Sequence, residues 1–194
     1  MFTLVAGLVL FLGAHSVRVF ADGWRTSMIR RIGEKPWKGA YSLVAIAGFV
    51  LLVVGYGMAR QDPVVLWGQP PVWTRHLAAL LTLVAFVLLV AAYVPGNAIK
   101  AKLHHPMILG VKVWALAHLV ANNTLADLLL FGSFLVWAVL DFRAARRRDR
   151  SLATLAPAGS VPRGIIAVVV GAVLWAAFAF WLHGAWIGVR PMGV

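Results

Sequence analysis

An all-α, polytopic membrane bundle is the fold class this sequence predicts, and three observations predict it. First, 62% of the 194 residues are hydrophobic and 12% are charged, whereas a soluble domain carries about 25% charge. Second, apolar runs close to the roughly 20 residues that a bilayer core requires recur six times. Third, the basic residues behind the formal net charge of +12 gather between those runs. Nucleic-acid binding is a poor reading of charge placed in that way, because it is the placement that sets membrane orientation.

The six segments fall at about 2–20, 40–58, 74–94, 106–122, 125–142 and 165–187. The first begins with no basic run and ends in no small-residue cleavage signal, so it reads as a retained helix and not a signal peptide. The fourth and fifth are nearly continuous. Asn122-Asn123-Thr124 breaks them, and Thr124 with Asp127 three residues later matches a capping box. A tight helical hairpin follows. His105-Pro106 marks the start of the fourth segment, since proline suits a first helical turn. The longest connection, about 143–164, is basic and then Ala/Pro/Gly-rich, which predicts a mobile link. No connection is long enough to fold alone, so residues 1–194 read as a single domain.

Orientation follows from the basic residues. Arg18, Arg25, Arg30, Arg31, Lys35 and Lys38 follow the first segment. Lys100 and Lys102 follow the third, and Arg143, Arg146, Arg147, Arg148, Arg150 and Arg163 follow the fifth. All of these fall on one side of a six-span topology. The opposite side holds Arg60, Arg75 and Arg190. The bias predicts both termini outside.

The chemistry lies in histidines. There is no cysteine, which excludes thiolate metal sites and thiol catalysis. The six acids make no pair within the spans suited to acid–base work: Asp127 reads as a helix cap, and Asp141 and Asp149 sit among arginines. His76 and His183 lie beside tryptophans, as interfacial residues do. His104 and His105 lie at the inner mouth of the fourth segment. His15 and His118 stand inside apolar runs, where an ionisable group is costly and usually faces the bundle interior. His118 shares a helix face with Val111, Trp114 and Asn122, and His15 shares one with Arg18.

Two such histidines suit the axial positions of a haem, since neutral imidazole is a ligand for haem iron. Arg18 or Lys112 would then meet the propionates. The alternative is an interhelical hydrogen-bonded pair. Zinc suits the sequence less, for it has no H-E-x-x-H and no cysteine. At 1.5 Å per residue, His15 lies about 8 Å and His118 about 18 Å from the inner face. A shared haem therefore requires tilt or a deeper start to the fourth segment.

Several stretches carry a family resemblance. These are His15-Ser16, "RIGEKPWKGAYSLVAIAGFVLL" from Arg31, "LWGQPPVWTRH" ending at His76, and "HHPMILGVKVWALAH" from His104 to His118. Together the chain resembles the NnrU family of bacterial membrane proteins and, through it, zeta-carotene isomerase. The resemblance implies a multi-pass protein of the bacterial cytoplasmic membrane, tied to nitrite and nitric oxide metabolism. It implies haem b held by His15 and His118, with His105, Pro106 and Gly110 on a shared HP-x-x-x-G element. The chain departs from the isomerase pattern at Ala59 and Ala115, where the isomerase has a histidine and a cysteine.

Three readings follow. The chain is a haem protein of nitrogen-oxide metabolism, a haem-dependent cis–trans isomerase of a carotenoid-like polyene, or a non-catalytic accessory or transport subunit of a respiratory complex. The HP-x-x-x-G element is also similar to that of S-adenosylmethionine-dependent membrane methyltransferases. Those carry glutamates and aromatics further on, where this chain has "DFRAARRRDRSLATLAPAG".

Overall fold

The computed structural model describes residues 1–152 and 158–193, and these are helical nearly throughout. In chain order the helices are α1 (Phe2–Phe20), α2 (Asp22–Ile32), α3 (Glu34–Ala59), α4 (Val72–Tyr93), α5 (Ala98–Leu103), α6 (Pro106–Ala121), α7 (Leu125–Ser151), α8 (Val161–Ala177), a π-helical turn (Phe178–Leu182) and α9 (His183–Ile187). Five stretches are long and apolar enough to cross a membrane: α1, α3, α4, α7, and α8 continued through α9. The remaining apolar helix, α6, has 16 residues, short of the roughly 20 expected for a full span.

Large apolar side chains cover the outside of these helices. Leu43 is 71% exposed, Ile46 60% and Val173 62%. In water, such patches would drive aggregation. Facing lipid tails they cost nothing, and helix association must then come from close packing and hydrogen bonds. The chain is a multi-pass membrane protein.

It packs as two compact units. The first comprises Met1–Gly68 and Asn123–Ala144, the second Gln69–Asn122 and Ala145–Val194. In the first, α1 lies along α3 at a distance only glycine permits. A Cβ on Gly48 would stand 2.6 Å from the backbone nitrogen of Phe11, and one on Gly55 would collide with the backbone of Leu4. Leu4 is fully buried there. The start of α7 is tied in by backbone bonds: Leu66 N–H donates to Asn123 O and Leu125 N–H to Val64 O, each at 2.9 Å. Thr124 and Asp127 form the expected reciprocal cap. Thr124 N–H donates to Asp127 Oδ2 and Asp127 N–H to Thr124 Oγ1, both at 3.3 Å. The same carboxylate accepts from Tyr56 Oη at 2.5 Å, so the cap of α7 also fastens α3.

In the second unit α4 packs against α6 and α8. Trp175 Nε1 donates to Thr82 Oγ1 at 3.0 Å, a polar bolt in apolar surroundings. Asn97 is fully buried and fully used. Its Oδ1 accepts Lys100 N–H at 2.8 Å, and its Nδ2 donates to Ala91 O at 2.8 Å and Val94 O at 2.5 Å.

Two sequence expectations change. The basic stretch after the first segment, read as a loop, is helix α2. The stretch from 143 is not a loop until after Ser151, because α7 runs on for 27 residues in all. Part of the Ala/Pro/Gly-rich link, 153–157, lies outside the described residues.

Candidate functional site

His15 stands on α1 in the first unit. Its Nδ1 lies 2.7 Å from the carbonyl oxygen of Phe11, one turn back. A carbonyl can only accept, so Nδ1 carries the hydrogen, and in the neutral ring Nε2 carries the lone pair. Aromatics enclose the imidazole. Phe11 is 4.3 Å away between ring centroids, Tyr41 of α3 5.5 Å and edge-on, and Trp137 of α7 6.0 Å and edge-on. Trp137 also walls an open groove of about 480 Å³ with Leu12, Ser16, Leu128, Leu129, Gly132, Ser133, Val136 and Leu140. Its own Nε1 is buried without an acceptor. An unpaired buried donor costs about 1–3 kcal/mol, and it marks the surroundings of His15 as unusual.

His118 repeats the arrangement on α6 in the second unit. Its Nδ1 is 2.8 Å from the carbonyl oxygen of Trp114, and the two rings lie 5.2 Å apart. The carbonyl of His118 in turn accepts from Asn122, from the backbone nitrogen at 3.0 Å and from Nδ2 at 2.9 Å. Trp114, His118 and Asn122 thus form one connected line, as their three- and four-residue spacing predicts. The second nitrogen of a metal-ligating histidine commonly donates to a carbonyl, which fixes tautomer and ring orientation. Both rings meet that condition, so the donor chemistry of each fits haem iron.

His105 belongs to a different cluster in the second unit. Its Nε2 lies 2.9 Å from Asp149 Oδ2, His104 Nδ1 lies 3.6 Å from the same oxygen, and Arg146 Nη1 donates to it at 3.3 Å. Asp149 is thereby drawn in, its side chain 18% exposed. The backbone at His104 is strained, with φ 64° and ψ −50°. His105 N–H bonds to Leu103 O at 2.8 Å, which makes His104 the centre of a γ-turn of the rare positive-φ kind. Strain of this sort persists only where the surroundings over-determine it, and it gathers at functional sites.

The NnrU protein family model matches residues 3–191. The chain belongs to the NnrU family. No curated protein matches it, and no solved structure does.

For this NnrU-family chain, the residues singled out in the sequence sort into three places. His15 and Arg18 lie in the first unit, Arg18 in the last turn of α1. His118 and Lys112 lie in the second unit on α6. His105, also in the second unit, N-caps α6 with Pro106 at its start and is joined to Asp149. Among the described residues, no three His, Cys, Asp or Glu side chains are arranged to hold a metal ion.

Sequence reasoning missed Asp149 as a histidine partner, and it missed Tyr41 and Trp137 around His15. Asp149 carried one signal: it is the last acid in a run of arginines, and an isolated carboxylate there needs a reason. Nothing in local spacing pointed to Tyr41 or Trp137, which approach from other helices.

Proposed function

We propose that this NnrU-family protein binds haem b through His15 and His118 and serves nitrite and nitric oxide metabolism or a related redox task. The observation that carries the reading is the shared state of the two rings. Each donates from Nδ1 to the carbonyl four residues back, at 2.7 and 2.8 Å, the contact that fixes tautomer and ring orientation in a metal-ligating histidine. When bound, haem would supply an iron that exchanges single electrons. The protein's own part is to fix the tautomer and rotation of both imidazoles. Phe11, Tyr41 and Trp137 shield His15 from polar solvent. Arg18 and Lys112 are the cations on the two histidine-bearing helices, and they suit anionic propionates.

The reading includes a topology of six crossings with both termini outside. In support, the break after α6 is bonded to the stretch that precedes α4 (Leu66 N–H to Asn123 O, Leu125 N–H to Val64 O), whereas α6 starts beyond the other end of α4.

The test is haem content per chain after purification in mild detergent. Wild type is expected to hold haem, while His15→Ala and His118→Ala each lose most of it at unchanged yield of folded protein. Unchanged haem content in both variants would overturn the assignment.

A second reading, isomerisation of a carotenoid-like polyene, is favoured by the groove beside His15. It is apolar, elongated along α7 over Leu128 to Leu140, and walled by Trp137. Conversion of a supplied polyene by reduced membranes containing wild type, but not His15→Ala, would support it.

A further inference from the structure

Helix α2 is eleven residues long, and none of them is buried. Trp24, Met28 and Ile32 recur at four-residue steps and form one stripe. Trp24 is 55% exposed and Ile32 41%, and Phe20 just before the helix is 71% exposed. Trp24 also meets Trp37 of α3 edge-on, at 5.6 Å between ring centroids. Arg30 and Arg31 close the helix, and Lys35 and Lys38 follow in the first turns of α3. Two acids partly offset this charge: Asp22 lies 3.5 Å from Arg25, and Glu34 lies 2.7 Å from Lys38.

A short helix of mean polar character has no reason to stay folded with an apolar stripe in water. It gains one at a bilayer surface, where the stripe enters the headgroup boundary and the cations meet acidic lipids. Aromatic rings such as Trp24 and Trp37 prefer that depth. The net charge is positive, and α2 follows directly from the end of a membrane-crossing helix, which holds it close to a lipid surface.

We infer that α2 is an interfacial helix that lies flat on the membrane and binds anionic phospholipid headgroups through Arg25 and Arg31, which flank the stripe, with Trp24, Met28 and Ile32 inserted among the acyl chains. The inference stands apart from haem binding.

The absence of cysteine makes the experiment simple. The full chain carrying Met28→Cys or Ser27→Cys is labelled with an environment-sensitive fluorophore. It is then reconstituted into vesicles of phosphatidylcholine containing increasing phosphatidylglycerol. The label at 28 is expected to shift to the blue and to become shielded from aqueous iodide as phosphatidylglycerol rises, while the label at 27 stays quenchable. Arg31→Gln should raise the phosphatidylglycerol content needed for half-maximal shielding by about fivefold, the worth of one surface cation. High salt should act in the same direction.

Equal quenching at 27 and 28 in all vesicles would overturn the proposal. So would shielding that ignores phosphatidylglycerol. Shielding that instead tracks the number of chains per vesicle would assign the face to a second copy of the chain. The lipid titration on unmutated arginines decides the matter even where an arginine variant folds poorly.

Discussion

Two indole nitrogens in this protein meet opposite fates. Trp175 Nε1 donates to Thr82, and Trp137 Nε1 is buried with no acceptor. Replacing Trp175 by Phe removes a made bond, whereas replacing Trp137 by Phe removes a donor that was never satisfied. We expect Trp175→Phe to destabilise the protein by ~1 kcal/mol more than Trp137→Phe, measured by thermal unfolding in the same detergent. An equal or reversed order would mean that Trp137 finds a partner in the membrane.

At the same scale, the strained backbone at His104 is opposed by its contact with Asp149. His104→Gly relieves a conformation that glycine adopts freely, so it should leave the melting temperature unchanged or higher. Asp149→Asn removes the charge that Arg146 and His105 contact and His104 approaches, and should lower stability by ~1 kcal/mol, the modest value of a partly exposed ion pair. A His104→Gly loss larger than that of Asp149→Asn would show that the side chain, and not the turn, matters there.

Among elements, the contact of α1 with α3 is the least forgiving. Gly55→Leu drives a side chain into the backbone of Leu4, and overpacking of this kind costs about 1–3 kcal/mol. We expect a lower melting temperature from Gly55→Leu and little change from Gly57→Leu, which points into open space. Equal effects would contradict the close approach.

The elements also show what could be read in advance. Residues 2–20 were legible as a helix because apolar content alone defines α1. The reciprocal cap was legible because Thr124 and Asp127 lie three residues apart. Helix α2 was not, since its arginines read as orientation charge and masked the stripe of Trp24, Met28 and Ile32. The end of α7 was misplaced for a related reason. The apolar run stops near Phe142, but arginine is a good helix former, so the helix continues where the hydrophobicity ends. His15 and His118 stand out in the sequence because they are anomalies on their own helices. Their companions do not, because Tyr41 and Trp137 are brought by tertiary packing that spacing along one helix cannot reveal.

For the molecule as a whole, membership of the NnrU family rests on a match across residues 3–191, and passage through the membrane rests on five long apolar helices. Whether α6 makes a sixth crossing decides the topology. Single cysteines at Asn123 and at Lys102 should react with a membrane-impermeant maleimide from opposite sides of intact cells or vesicles if α6 crosses. Reaction from one side for both would make α6 re-entrant and place the two termini on opposite sides.

The optical spectrum of the detergent-purified protein decides whether His15 and His118 hold haem. The sample is read oxidised and then after dithionite, for wild type, His15→Ala and His118→Ala. A Soret band is expected in wild type, with sharpened bands on reduction, and loss or conversion of that spectrum in each variant. A wild-type spectrum without a Soret band after expression with added haem, or one that both substitutions leave unaltered, would contradict it.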